Sequence, residues 1–147
     1  MTLDPDVLRQ IGEHMATTVP QAAALGFRFI SAGDGRGSME VPWRADLVGD
    51  PDTQVIAGGV VTSLLDHTCG LAITAAAHTA PFSTATLDLR IDYMRPAAPR
   101  AGVVAEAHCY KLTRTIAFVR AQAWDADPDD PIATAQAAFV LNRAPAP

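Results

Sequence analysis

Asp66 sits in the middle of Ile56–Ile73, a run dominated by apolar and small residues. A helix advances about 100° per residue, so a helix from about Gly59 to about Ala77 sorts this run into two faces. Val61, Leu64, Leu65, Thr68, Leu71 and Ala72 make one face, which requires a sheet against it. Gly59, Thr62, Ser63, Asp66, Cys69, Gly70 and Ile73 make the other, small and polar, with Asp66 at its centre. An ionised carboxylate buried without partners is strongly disfavoured. Two readings of Asp66 therefore stand open. It is bonded to Thr62, Ser63 or nearby backbone as a structural group, or it is a catalytic carboxylate facing a cleft. Gly58 and Gly59 open the same helix, and free backbone N–H groups at a helix start bind anions or polarise a carbonyl oxygen.

Neighbouring groups add little independent chemistry. His67 follows Asp66, but adjacent helix residues point ~100° apart and form no dyad, so it reads as a groove-lining or interface residue. Ser63 has no nucleophile-elbow motif around it and reads as a small residue facing Asp66. Cys69 and Cys109 have neither metal nor redox spacing, and no disulfide is indicated. Cys69 reads as a small buried hydrophobe. His14, His78 and His108 are scattered, so no metal site is expected. Without a phosphate-cradling loop or nucleotide fingerprint, no cofactor is expected either.

A chain of 147 residues, 49% apolar and 18% charged, suits one domain spanning 1–147 with a real core. Its net charge of -5 argues against general nucleic-acid binding. The cations are unevenly placed: Arg90, Arg95, Arg100, Lys111, Arg114 and Arg120 face only Asp92 and Glu106 in the same window. That excess suits a phosphorylated ligand or a solvated sheet edge equally well. The first residues show neither a basic nor an apolar signal region, and Asp66 and His67 interrupt the one long apolar run. A cytoplasmic protein with no membrane partner is the expectation.

The elements that would position Asp66 follow from periodicity. Asp4-Pro5 predicts a capped helix to about Thr18 with Val7, Leu8, Ile11 and Met15 on one stripe, and Gln21 to Leu25 a further turn closed by Gly26. Phe27 to Ser31 and Gly37 to Val41 read as a hairpin, and Pro42 to Ala57 as a long loop. A turn is expected at Pro81. Thr84 to Tyr93 alternates strictly, with Leu87, Leu89, Ile91 and Tyr93 against Thr86, Asp88, Arg90 and Asp92. Val103 to Leu112, Thr115 to Trp124 and Ile132 to Leu141 read as three more strands, before a frayed tail from Arg143. This order implies an α+β fold: one antiparallel sheet of five or six curved strands wrapped around the long helix. Leu, Phe and Val left on the sheet's outer face predict a partner subunit.

Gly58-Gly59, Asp66 eight positions after Gly58, and the strand ending Tyr93-Met94-Arg95-Pro96-Ala97 together resemble the hotdog-fold acyl-CoA thioesterases of the phenylacetate (PaaI-like) type. The likeness runs over roughly residues 20 to 142. It implies a curved antiparallel sheet around one central helix, and hydrolysis of a medium-chain or aromatic acyl-CoA. By that likeness Asp66 would be nucleophile or general base, and the Gly58 N–H, with that of Gly59, would polarise the thioester carbonyl. Thr86 stands where the family often places a hydroxyl near the carboxylate or water. Ser63 and His67 would border the substrate, and Arg95, Arg114 and Arg120 are candidates for the CoA phosphates. Similar enzymes build each site at a dimer interface and often pair dimers, so a homodimer or homotetramer is implied.

Two positions depart from the family pattern. Ala57 replaces its usual His, and Asp50 stands where related chains often have Asn. Asp50 is read as a turn residue in preference to a replacement carboxylate. A missing imidazole beside the reacting carbonyl leaves an acyl-CoA-binding protein without turnover as the alternative. A hotdog hydratase or dehydratase, which needs a His with an acidic partner, ranks below both.

Overall fold

The computed structural model describes residues 3–77 and 82–143. The turn expected at Pro81 and the chain beyond residue 143 lie outside that range. Helix α1 (Pro5–Thr18) starts as predicted, with the Asp4 side chain accepting from the Asp6 N–H at 2.9 Å and proline in the first turn. Its buried stripe differs from expectation: Leu8, Gly12 and Ala16 are covered, whereas Val7 is 42% exposed. The small residues decide this, because the Phe29 ring lies directly on Gly12, where an added Cβ would approach it to 2.3 Å. A second short helix, α2 (Pro20–Leu25), ends on Gly26 at φ 77°.

Strands β1 (Arg28–Gly33) and β2 (Arg36–Val41) form the expected hairpin. Its tip, Asp34-Gly35, has both φ angles positive, the two-residue geometry that matches strand twist. The segment to Ala57, expected as a loop, carries structure of its own. A short 3-10 turn (Ala45–Leu47) leads into a small ribbon of β3 (Val48–Asp50) and β4 (Val55–Ile56). That ribbon delivers the chain to α3 (Gly58–Ala76).

After α3 come β5 (Phe82–Tyr93), β6 (Val103–Leu112), β7 (Ile116–Trp124) and β8 (Ala133–Arg143). The main sheet is six-stranded and antiparallel throughout, in the order β1-β2-β6-β7-β8-β5. Its concave face is floored by alanines, among them Ala105, Ala107, Ala117, Ala121, Ala123 and Ala135. The large partners come from the helix, where Leu64, Leu65, Leu71 and Ile73 are fully buried. Small strand residues let the sheet curve closely around α3, and each buried Leu or Ile contributes about 1.5–3 kcal/mol. By length and composition α3 is apolar enough to cross a membrane, but here it is the core helix of a sheet. This is the hotdog architecture that the sequence implied.

The two faces of α3 are less equal than helical spacing implied. All six residues of the apolar face are buried, and so are Cys69 and Ile73 from the polar one. The open strip shrinks to Gly59, Thr62, Ser63 and Asp66, with Gly70 partly covered beside Met15. Strand β5 also departs from strict alternation. Thr86 pairs with Phe139 and Asp88 with Ala138, so Leu87 is an extra residue, a β-bulge. Residues directly opposite one another share a face. Thr86 therefore looks toward α3 with buried Phe139, as do Leu89, Ile91 and Tyr93 further on, opposite buried Ala137, Ala135 and Ala133. Without the bulge, Thr86 and that apolar set would point to opposite sides.

The three most exposed large apolar residues among those described lie along β5 or just after it. Leu87 is 64%, Tyr93 53% and Met94 57% exposed. The outer face carries the expected apolar residues, with Val104, Phe118 and Val140 partly covered and Tyr110 exposed, among Arg36, Glu106, Arg120 and Gln122. Close packing of β2 on α3 gives a direct check. A Cβ at Gly37 would meet Leu71 Cγ at 2.7 Å and the Ala72 backbone nitrogen at 3.0 Å. Gly37→Ala is expected to lower stability by about 1–3 kcal/mol in urea titrations, and an unchanged midpoint would contradict this packing.

Candidate active site

The start of α3 has no side-chain cap, since Ala57 occupies the N-cap with nothing to offer. Val60 and Val61 donate back to the Ala57 carbonyl at 3.0 and 3.4 Å. Among the described residues the N–H groups of Gly58 and Gly59 have no acceptor. Both glycines are exposed, and a Cβ on Gly59 would meet nothing within 4 Å. The ribbon fixes this end, with Ala57 N–H donating to the Leu47 carbonyl at 2.9 Å. Two free donors thus sit at the positive end of a helix dipole, open to a ligand.

Asp66 lies two turns along, partly exposed on the open strip. Its Oδ1 accepts a hydrogen bond of 2.7 Å from the Thr86 hydroxyl. Thr62 and Ser63 do not reach it; their hydroxyls donate to the Gly58 and Gly59 carbonyls, each at 3.0 Å. The bulge at Leu87 is what aims Thr86 at Asp66 across the gap between helix and edge strand. The arrangement holds one carboxylate oxygen, and among the described residues nothing donates to the other. Cys69, one turn on, has its thiol pushed up to about 12, first by burial and then by Asp66 and Cys109, so it is inert at neutral pH.

A cleft of about 330 Å³ opens beside the helix start. Val55, Ile56, Val61, Met94 and Ile132 make it largely apolar, and Gly58 and Tyr93 line its inner end. Tyr93 Oη lies 3.1 Å from the Gly58 carbonyl and also contacts Thr62 Oγ1. Sequence reading missed this contact. Tyr93 looked like one more apolar strand residue, and nothing in the alternation marks its hydroxyl. A larger groove of about 570 Å³, between α2 and Trp43, contains none of the candidate site residues.

Several residues expected at the site are placed elsewhere. His67 points ~100° away from Asp66, and its Nε2 bonds the Met15 carbonyl at 2.8 Å, bracing α3 against α1. Asp50 caps its own turn, its Oδ1 accepting from Asp52 N–H at 2.9 Å while its carbonyl takes the N–H groups of Thr53 and Gln54. Arg120 projects from the convex face, opposite α3, its guanidinium 4.2 Å from the Tyr110 ring centroid. Arg114 is exposed at the β6–β7 hairpin tip. His78 lies outside the described residues, and among those described no cluster of His, Cys, Asp or Glu could hold a metal ion.

Arg95 does line the cleft with Gly58, but its charge is committed to an ion pair. It makes two bonds to Asp125, at 2.7 and 3.1 Å, and a third to the Asp130 carbonyl at 2.7 Å. Asp125 also accepts from Ala98 N–H at 2.8 Å. This clamp ties the segment after β5 to the β7–β8 loop and forms one wall of the apolar cleft. Excess positive charge in the sequence window was therefore partly an internal ion pair.

Comparison with known proteins agrees with this fold. Residues 53–132 match the thioesterase superfamily profile, and the chain belongs to that family. A Pseudomonas aeruginosa protein of known structure is 32% identical, with a TM-score of 0.82 over 90% of this chain and 98% of its own. A candidate esterase of Halobacterium salinarum is 28% identical over 127 residues, covering 81% of this chain and 82% of its own. The PaaI protein of the Escherichia coli phenylacetic acid degradation operon shares the fold, with a TM-score of 0.80 at 17% identity over 95% of this chain and 96% of its own. Thioester hydrolysis is the general chemistry of this membership.

The Arg95–Asp125 clamp carries a pH signature. Its guanidinium holds the Asp125 carboxyl far below the usual carboxylate range. A depressed acid stabilises the fold at every pH above its unfolded value, about 3.9 for Asp, and loses that contribution as pH falls toward the depressed value. Asp125→Asn is expected to lower the melting temperature at pH 7, with the gap from wild type closing progressively below about pH 4. A gap that stayed constant into acid would remove the ion pair as its cause.

Proposed function

We propose that the protein hydrolyses an acyl-CoA thioester, releasing a free acid and CoA, with a medium-chain or aromatic acyl group. The observation that carries this reading is Asp66, oriented by Thr86 on the single open strip of α3, with free N–H groups and an apolar cleft at the start of the same helix. As general base, Asp66 takes a proton from water. The water oxygen then bonds to the acyl carbon, the C–S bond breaks, and the proton passes to the departing thiolate. As nucleophile, Asp66 instead bonds to the acyl carbon and expels the CoA thiolate by breaking the C–S bond, and water then opens the acyl anhydride to the free acid and the Asp66 carboxylate. Either route builds negative charge on the carbonyl oxygen, which the Gly58 N–H, with that of Gly59, would receive. The acyl group would occupy the cleft lined by Val55, Val61, Met94 and Ile132.

One chain does not supply both halves at one thioester. Eight residues of helix separate Gly58 from Asp66, ~12 Å along the axis, whereas the attacked carbon and its oxygen are bonded neighbours. Two copies related by a two-fold axis resolve this by bringing Gly58 of one against Asp66 of the other. Strand β5 suits such a pairing, being an edge strand with Leu87, Tyr93 and Met94 exposed along or just beyond it. The proposed unit is therefore a homodimer or a dimer of dimers.

Ala57 supports a second reading, an acyl-CoA binder without turnover, because the N-cap offers no donor beside the carbonyl. A hydratase or dehydratase finds no support here, since the His67 imidazole faces α1 and not Asp66. Thiol release across a panel of acyl-CoAs separates the first two. Asp66→Ala is expected to lower kcat by ~10²–10⁴. Thr86→Val, which removes one bond to a charged group, should cost about 10- to 100-fold. Ala57→His is expected to raise the rate about tenfold or more. Retained CoA binding with no turnover on any acyl group would favour the binder, and equal rates for wild type and Asp66→Ala would discard the hydrolytic reading of this carboxylate.

A further inference from the structure

The peptide unit joining Gly58 to Gly59 is held at its oxygen by two hydroxyls. Thr62 Oγ1 lies 3.0 Å from the Gly58 carbonyl, Tyr93 Oη lies 3.1 Å from it, and the two hydroxyls contact each other. Only two hydroxyl protons serve this triangle. Either both go to the carbonyl, or one goes there while the other links the hydroxyls. In each case the Gly58 carbonyl accepts from a side chain. The nitrogen of that same peptide is the N–H of Gly59, which has no acceptor among the described residues. An amide that accepts at its oxygen becomes a stronger donor at its nitrogen, because hydrogen bonds in a chain polarise one another.

We infer that Tyr93 is a positioning residue for thioester polarisation. With Thr62 it fixes the Gly58 carbonyl, and through that one peptide unit it aims the Gly59 N–H and strengthens it as a donor to the thioester oxygen. This rests on the hydrolytic reading of the site above and adds a residue to it. Tyr93 is suited to the task by its place in the fold. It is the last residue of β5, opposite buried Ala133, so its ring is directed over the start of α3 while its hydroxyl reaches the helix backbone. A Cβ at Gly58 would lie 3.7 Å from Tyr93 Cε1, so the ring edge sits at ordinary contact distance beside the glycine. With alanine at position 57 in place of an imidazole, this phenol is the aromatic group that flanks Gly58 in the cleft.

Tyr93→Phe keeps the ring and removes only the hydroxyl, and Thr62→Val does the same on the helix. For each, kcat is expected to fall about tenfold, less than the ~10²–10³ that follows loss of a donor outright, with KM within about threefold of wild type. Thr62→Ser, which keeps the hydroxyl, should restore the wild-type rate. The second readout is the carbonyl stretch of ¹³C-carbonyl-labelled benzoyl-CoA or octanoyl-CoA bound to Asp66→Asn, which holds the thioester without turnover. Binding should shift the stretch to lower frequency, and adding Tyr93→Phe should shrink that shift. Unchanged kcat with an unchanged shift, or a rise in KM alone, overturns the proposal and leaves Tyr93 as a wall of the cleft. If the wild type hydrolyses no thioester but binds the probe, the hydrolase reading fails and the carbonyl shift alone decides the role of Tyr93. A protein that binds neither probe loses both readings.

Discussion

A helix that is apolar on most of its circumference must be covered on most of its circumference. That requirement organises the molecule around α3. Leu64, Leu65, Leu71 and Ile73 have no exposure at all, and the sheet can enclose them only by curving, which its alanine-floored strands permit. The α1–β1 side closes another sector through Met15, His67 and the close contact of Phe29 on Gly12. One sector stays open, facing the edge strand β5. The groups that the proposed reaction draws on lie along that opening or at its end: the two glycine N–H groups, Asp66, Thr86 and the phenol of Tyr93.

Much of this architecture was legible in the residues. The capped start at Asp4-Pro5, the Asp34-Gly35 turn, the β6 and β7 boundaries and the long helix are local signals, set by proline, glycine and periodicity within a few residues. The place of Asp66 on the open strip of α3, two turns beyond the glycines that start the helix, was legible too, from helical spacing alone. What the sequence hid was non-local. The bulge at Leu87 arises only when β5 is laid against β8. The engagement of Arg95 depends on Asp125, thirty residues away, and in a linear window the arginine simply looks like surplus charge. Tyr93 reaching the Gly58 carbonyl is likewise a contact between a strand end and a helix start 35 positions apart.

Ala57 ties the helix start to the question of rate. An alanine N-cap leaves the first N–H groups unsatisfied, which is a cost to the helix and an opportunity for a ligand. The structure meets part of that cost elsewhere, through the ribbon bond from Ala57 to Leu47 and the hydroxyls gathered on the Gly58 carbonyl. The helix start is thus held from its acceptor side, while its donor side is left clear.

The single extra residue in β5 has a consequence for comparing this chain with others. Upstream of Leu87, even-numbered Thr84 and Thr86 share the concave side; downstream, odd-numbered Leu89, Ile91 and Tyr93 do. A relative whose edge strand lacks the insertion keeps one parity from end to end. Where a gap is drawn between positions 86 and 88 then decides whether a hydroxyl is matched to a hydroxyl or to a solvent-side charge, and a placement error there would erase Thr86 from any tally of shared polar groups.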